Sequence, residues 1–239
     1  MAVKDTLRTG WKWIKKIFII LFIAQLVYIV LLKWINPPIT VTQLVSWVGG
    51  HGMYRDYEPT GNISPHAKLA VIASEDQLFP DHNGFDWKSI KKAMRYNAKK
   101  PGRIRGGSTI SQQVAKNVFL WQGRSWFRKA LETYFTFMIE LVWGKKRIME
   151  VYLNVIEMGE GVFGIEAAAQ KYFRKPASKL TRQEAALIAA CLPNPKRRLV
   201  SAPSRDVSKR TKEILQQMNN LSADPDIRAV IGTSEVMKK

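Results

Sequence analysis

Sixteen consecutive residues, Ile17 to Leu32 (IFIILFIAQLVYIVLL), carry no charge. Trp34 and Ile35 prolong the run, and Lys33 between them can snorkel to an interface. About 20 apolar residues of helix span a bilayer. Trp11, Trp13, Tyr28 and Trp34 stand near the ends, where interfacial aromatics belong. The competing reading is a cleaved signal peptide. The run is long for one, and WINPPIT, without an A-x-A-like site, follows it. We therefore read an uncleaved anchor over residues 17–36. Pro37 and Pro38 end it, because neither has an N–H to continue a helix. Lys4, Arg8, Lys12, Lys15 and Lys16 precede the span, whereas only Lys33 and Arg55 follow before His66. Positive-inside asymmetry makes residues 1–16 a cytoplasmic basic tail and puts the rest outside. Residues 37–61 read as a juxtamembrane segment and residues 62–239 as one extracytoplasmic domain. A domain of roughly 200 residues can bury most of its apolar surface.

The formal net charge is +19. A surface this basic seeks nucleic acid, anionic lipid headgroups or phosphorylated substrates. The excess is local. Trp87 to Leu131 contains twelve Lys or Arg and no Asp or Glu. Four acids, Glu75, Asp76, Asp81 and Asp86, precede this run, and Glu132 closes it. Nucleic-acid binding could draw on these cations with Trp87, Tyr96, Trp121 and Trp126, but an extracytoplasmic domain argues against it. The single Cys191 forms no internal disulfide, and its setting, AALIAACLP, is that of a small buried residue. His51, His66 and His82 lack zinc-site spacing. Asp76, Asp81, His82 and Asp86 lack a calcium-loop pattern. No metal site is assigned.

Strand signals are few and the class is mainly α. Ser64 caps a helix with Pro65 at its first position. Trp87–Ala98 is a basic helix, Lys99–Gly107 a loop, and STISQQVAKNVFL opens the next helix. Ser125 caps Trp126–Trp143, which Gly144 stops. KKRIMEVYLNVI is helical, GEGVFG is a glycine-broken turn, and IEAAAQKYF is a short helix. Thr181 to Glu184 is a capping box opening the helix that reaches Cys191. Arg205–Met218 is the last amphipathic helix, followed by a polar, poorly ordered tail.

Three places carry chemistry. Glu75 sits among Val71, Ile72, Leu78 and Phe79, a setting that raises a carboxyl pKa and suits proton transfer near neutrality. The plainer reading is a helix-end Glu paired with a Lys. GGSTISQQ (Gly106–Gln113) puts Ser108 and Thr109 at a helix N-terminus, which favours an anion. Taken alone, the segment is better read as a simple glycine turn with a Ser/Thr cap. Arg128 and Glu132 share a helix face as an i,i+4 pair, or Glu132 orients cations that hold phosphate. Taken together, two carboxylates point to glycosidic chemistry. A hydrolase must protonate a sugar leaving group. A transferase with a pyrophosphate-linked donor needs cations for the leaving group and a base for the acceptor. Cation-rich sequence between Glu75 and Glu132 fits the second case.

These residues resemble the peptidoglycan glycosyltransferases of glycosyltransferase family 51, in particular the monofunctional membrane-anchored kind. EDQLFPDHNG (Glu75–Gly84) is similar to the family's ED-x-x-F-x-x-H-x-G. GGSTISQQVAKN is similar to GGSTITQQ, with Ser111 for a usual Thr. Arg128 to Glu132 matches RK-x-x-E. KRIMEVYLN resembles K-x-x-ILE-x-YLN, with Met149 where Leu is common, and GEGVFGIEAAAQKYF continues the pattern. The resemblance runs from about Asn62 to Met218 and implies a bilobed, mainly α, lysozyme-like domain behind one transmembrane helix. It implies processive polymerisation of lipid II into β-1,4 glycan, with inversion and release of undecaprenyl pyrophosphate, at the bacterial inner membrane. Glu75 would be the base, assisted by Glu132. Lys116, Arg124, Arg128 and Lys129 would hold pyrophosphate, and Ser108, Thr109, Gln112 and Gln113 would shape the sugar and phosphate sites. Some members place a divalent cation, Mg or Mn, near the pyrophosphate, although no residue here requires a cofactor. Implied partners are lipid II, the growing glycan, the membrane and cell-wall synthase or division proteins, with no nucleic acid. The chain ends at Lys239, where bifunctional members continue into a transpeptidase, so that activity is not expected. The enzyme alternative is a lysozyme-like peptidoglycan hydrolase, and the non-enzyme alternative is a basic membrane-surface scaffold.

Overall fold

The computed structural model describes residues 2–100, 106–123 and 125–232, and the chain divides into two units, Met1–Asn36 and Pro37–Lys239. The first unit is one helix, α1 (Ala2–Leu31). Its Gly10–Leu31 stretch, 22 residues, is long and apolar enough to cross a membrane, at about 33 Å of helix against a core of about 30 Å. The helix takes in the basic tail as well as the apolar run. It stops five residues short of Asn36. Lys33 and Trp34 close it with N–H bonds to Val30 and Leu31, and Pro37 restricts the residue before it.

The second unit opens with α2 (Val41–Val48), where Thr40 and Gln43 form a capping box. Thr42 of α2 meets Asn117 at 3.3 Å. The segment read as juxtamembrane thus contributes a helix to this unit, together with strand β1 (Tyr54–Arg55). Next is α3 (Pro65–Glu75), capped by Ser64 with Pro65 in its first turn, as the sequence predicts. Seven of its residues, Ala67 to Ala73, are buried. A helix buried on every side belongs inside a bundle, and Glu75 is its last residue. α4 (Trp87–Lys99) is capped by Asp86 and buries only Ala93. α5 (Ile110–Phe119) is capped by Thr109, and α6 (Trp126–Val142) by Ser125. Gly144, at φ +75°, turns the chain into α7 (Lys145–Val155).

GEGVFG, expected as a turn, is instead the heart of a small sheet. β2 (Glu157–Gly159) pairs antiparallel with β3 (Val162–Phe163), and β1 pairs parallel with β3, Tyr54 opposite Val162. Gly161 is required there. Its φ is +66°, and a Cβ would lie 2.0 Å from His51 O. Then come α8 (Ile165–Phe173), α9 (Arg182–Cys191) with its Thr181–Glu184 capping box, and α10 (Arg205–Leu221). Burial pushes the Cys191 thiol up to about 11, so it is inert. The expected disordered tail contains α11 (Pro225–Ile231), capped by Asp224. Its Ile227, Val230 and Ile231 are buried, and Lys68 donates to Ile231 O at 3.1 Å.

The mainly α architecture is present. α3, α9, α10 and α11 pack together, while α5 packs on α2, α6 and α7. Glu75 and Glu132 come from different groups, on α3 and α6.

Candidate active site

Because α3 is buried nearly throughout, its last residue emerges at the edge of a core. Glu75 keeps 13% of its side chain exposed. Gln113 of α5 donates from Nε2 to Glu75 Oε2 at 3.0 Å. Arg210 of α10 places Nη2 3.6 Å from Oε1. Burial pushes the Glu75 carboxyl above the ordinary carboxylate range. The Gln113 hydrogen bond and the Arg210 charge pull it part of the way back, and Asp76 adds to the rise. Oε1 is buried and accepts no hydrogen bond among the described residues. A carboxylate oxygen in that state is a proton acceptor without a proton.

The next residue has a different role. Asp76 is 7% exposed, and both its oxygens face His82 Nε2, at 3.0 and 3.1 Å. Its Oδ2 also accepts from Ile110 N at 3.0 Å, at the start of α5. An anion at a helix N-terminus meets free N–H groups and the positive dipole end. His82 Nδ1 accepts from Gly84 N at 3.1 Å, which leaves Nε2 as the donor to Asp76. Gly84 O in turn accepts the Thr109 hydroxyl at 2.7 Å. Gly84, at φ +86°, admits no side chain, since a Cβ would lie 2.7 Å from Thr136 Cγ2. This network docks the loop after α3 onto the start of α5, and so sets Gln113 against Glu75.

The predicted site residues divide accordingly. Thr109 and Gln112 form the capping box of α5 and are 2% and 3% exposed. Their polar atoms are committed to the fold, so they shape the site from beneath. Ser108 is exposed beside them. Ser111 donates to Glu140 Oε1 at 2.5 Å, and Lys145 donates to the same oxygen at 2.7 Å.

The second carboxylate, Glu132, is 3% exposed. It accepts from Arg128 Nη1 at 2.7 Å and from Lys129 Nζ. Lys116 of α5 lies within the field of the same three groups. Burial lowers its ammonium, Glu132 opposes that, and Arg128 and Lys129 add to the lowering. Arg128 and Lys129 thus pair with one carboxylate, Lys116 lies within its field, and the group keeps an excess of positive charge. Arg128 Nε is buried and donates to nothing among the described residues. Gln113 and Lys116 are three residues apart on α5, about 4.5 Å along its axis, so one turn joins the Glu75 and Glu132 clusters. Arg124 lies outside the described residues.

Two neighbours of Glu75 and Gln113 are given no site role by the sequence, although Tyr152 lies within the KRIMEVYLN motif. Arg210 flanks the buried α10 stripe of Val207, Thr211, Ile214 and Met218, and that placement was the one available signal. Tyr152 of α7 is fully buried, with Oη 3.3 Å from Gln113 Oε1.

A family model described as Transglycosylase matches residues 42–219. The chain belongs to the transglycosylase family. It is similar to proteins named biosynthetic peptidoglycan transglycosylase from Escherichia coli strain Crooks (59% identical), Shigella boydii serotype 4 (58%) and Shigella dysenteriae serotype 1 (59%). Each match spans 186 residues, 77% of this chain and 77% of the relative. The transglycosylase domain is lysozyme-like, and the enzyme is a glycosyltransferase. The family match begins at residue 42, inside α2, and ends at residue 219, inside α10. It therefore includes Glu75, Glu132, Arg210 and the whole cation cluster.

Proposed function

We propose that this enzyme polymerises lipid II into β-1,4-linked peptidoglycan strands, with inversion and release of undecaprenyl pyrophosphate. One observation carries the reading. A mostly buried carboxylate whose Oε1 accepts no hydrogen bond among the described residues, Glu75, stands one turn of α5 from a cluster of excess positive charge around the buried Glu132. Glu75 takes the proton of the acceptor 4-hydroxyl. That oxygen bonds to the donor's anomeric carbon as the bond from that carbon to the pyrophosphate oxygen breaks. The electron pair leaves on the diphosphate, where Lys116, Arg128 and Lys129, with Arg124 beside them in sequence, meet the charge. Glu132 holds Arg128 and Lys129 in place rather than reacting. Gln113 orients Glu75, Ser108 borders the sugar and phosphate sites, and Thr109 and Gln112 support that border.

No three His, Cys, Asp or Glu side chains converge among the described residues, and no step here runs through a metal. The membrane is the partner that α1 supports, with the N-terminus inside and the second unit outside. Exposed Val45, Trp47 and Val48 on α2, and Trp126, Phe127, Phe137 and Leu141 on α6, are the side chains such a surface would receive. α4 exposes Lys88, Lys91, Lys92, Arg95 and Lys99 around Trp87 and Met94, a composition suited to anionic headgroups.

The hydrolase alternative shares the raised carboxyl but gives the cation cluster no task. Purified enzyme is offered lipid II and, separately, finished glycan. Polymer from lipid II, lost in Glu75→Gln, is expected. Cleavage of glycan without polymerisation would reverse the assignment.

A further inference from the structure

We propose that Tyr152 is a positioning residue for proton transfer at Glu75, acting through Gln113, whose amide oxygen it binds and whose N–H it thereby keeps on the carboxylate. The proposal rests on Glu75 being the base.

A glutamine amide has an acceptor end and a donor end. Here the acceptor end, Oε1, lies 3.3 Å from Tyr152 Oη, and the donor end, Nε2, lies 3.0 Å from Glu75 Oε2. The phenol sits on α7 and is 0% exposed. Burial raises its hydroxyl well above its ordinary value, and the charges of Glu75 and Asp76 add to that rise. The group therefore stays an O–H and remains a donor. A flipped amide would set its oxygen against a carboxylate, acceptor against acceptor. A Gln113 without Tyr152 would leave Oε1 unpaired, and its half-exposed side chain would gain by turning toward water. Either change takes the N–H from Glu75.

What else faces Glu75 matters for the pH test. Arg210 approaches from α10, and Asp76 and Ser74 flank it on α3. α9 and α11 turn their charged groups elsewhere. Arg182 meets Asn219, Glu184 meets Lys175, and Arg228 meets Ser222 O. Gln113 supplies the one hydrogen bond of normal length that reaches the Glu75 side chain from another helix among the described residues. Losing it removes a contact that favours the ionised form, so the base needs a higher pH to stay ionised.

The test compares kcat/KM for lipid II from about pH 5 to 9. It uses the full chain as parent, Tyr152→Phe, Gln113→Met, the double variant and Glu75→Gln. Tyr152→Phe should displace the acid limb upward by about one pH unit, roughly a tenfold loss on the limb and a smaller one on the plateau. Gln113→Met should move the limb at least as far, and the double variant should match it, because one chain of contacts is cut twice. An equal loss at every pH, an unmoved limb, or additive single effects would overturn the role of Tyr152. A fully active Glu75→Gln would instead remove the base itself, so the two failures are distinct.

Discussion

Glu75→Gln should melt at a higher temperature than the parent while losing nearly all turnover. In the parent, a mostly buried carboxylate leaves Oε1 without a hydrogen bond among the described residues. Taking the ionised carboxylate out of water costs about 1–3 kcal/mol or more, and the neutral amide that replaces it escapes the charge part of that cost. Against removal stands the contact with Arg210, at 3.6 Å with a third of the arginine exposed, worth at most about 1 kcal/mol. The net gain is about 1 kcal/mol, or roughly 2–4 °C in Tm for a protein of this size. The sign fixes the pH dependence. The folded-state pKa of Glu75 is raised above its unfolded value, so folding favours the protonated form. The penalty is absent below the unfolded pKa, grows as pH rises through the window between the two, and is complete above the folded pKa. Melting curves of both proteins near neutral pH should therefore differ, and they should converge as pH falls through the ordinary glutamate range. Turnover of lipid II in the variant should drop by about 10²–10⁴, the usual worth of a positioned base. A variant that melts lower at neutral pH, or a gap that widens toward acid, would refute the claim that this carboxylate is held against its own stability.

Lys116→Met should lower turnover by about 10²–10³, as loss of one preorganised charge at a developing anion does. Its Tm should hold or rise slightly, because burial already disfavours that ammonium; calorimetry and a lipid II assay read the two effects separately. Asp76→Asn should do the reverse in stability. It removes a 7%-exposed carboxylate shared by His82 and Ile110 N, costing about 1–3 kcal/mol, and thermal melts should fall by roughly 3–10 °C.

Much of this was legible in the chain because it is local. Ser64 before Pro65, Ser125 before Trp126 and the Thr181 box all start helices as read, and the basic helix begins at Trp87 as read, with Asp86 as its cap. Glu75 stood out because apolar residues surround it in sequence, and the same residues bury α3. Thr109 and Gln112 show local information set aside. T-x-x-Q before an apolar run is a capping box, and the structure uses both residues as one. The hairpin at Gly161 was not legible, because its third strand comes from Tyr54 and Arg55, far back in the chain. α11 is seven residues long, and its three buried side chains are too few for a periodic signal. Arg210 carries no motif, and Tyr152, though the Tyr of YLN, carries no sign in sequence of which residue it meets. Their relation to Glu75 and Gln113 exists only once α10 and α7 have packed.

The acid-free run of twelve cations then divides by position. Arg128 and Lys129 pair with Glu132, and Lys116 stands within its field. Lys88, Lys91, Lys92, Arg95 and Lys99 stay on the exposed face of α4, a helix held by little more than Ala93. One demand cannot explain both groups. A pyrophosphate leaving group calls for oriented cations, and the α5–α6 cluster orients Arg128 and Lys129 on a carboxylate that is itself 3% exposed. An exposed row of like charges works against its own helix unless an anionic surface faces it. Acids on α4 would weaken that surface contact. Acids on α5 or on the first turn of α6 would cancel the excess charge at Glu132. Two separate electrostatic requirements, placed next to each other in sequence, read as a single acid-free stretch. Glu132 is the exception because three cations around one carboxylate still leave charge for a diphosphate.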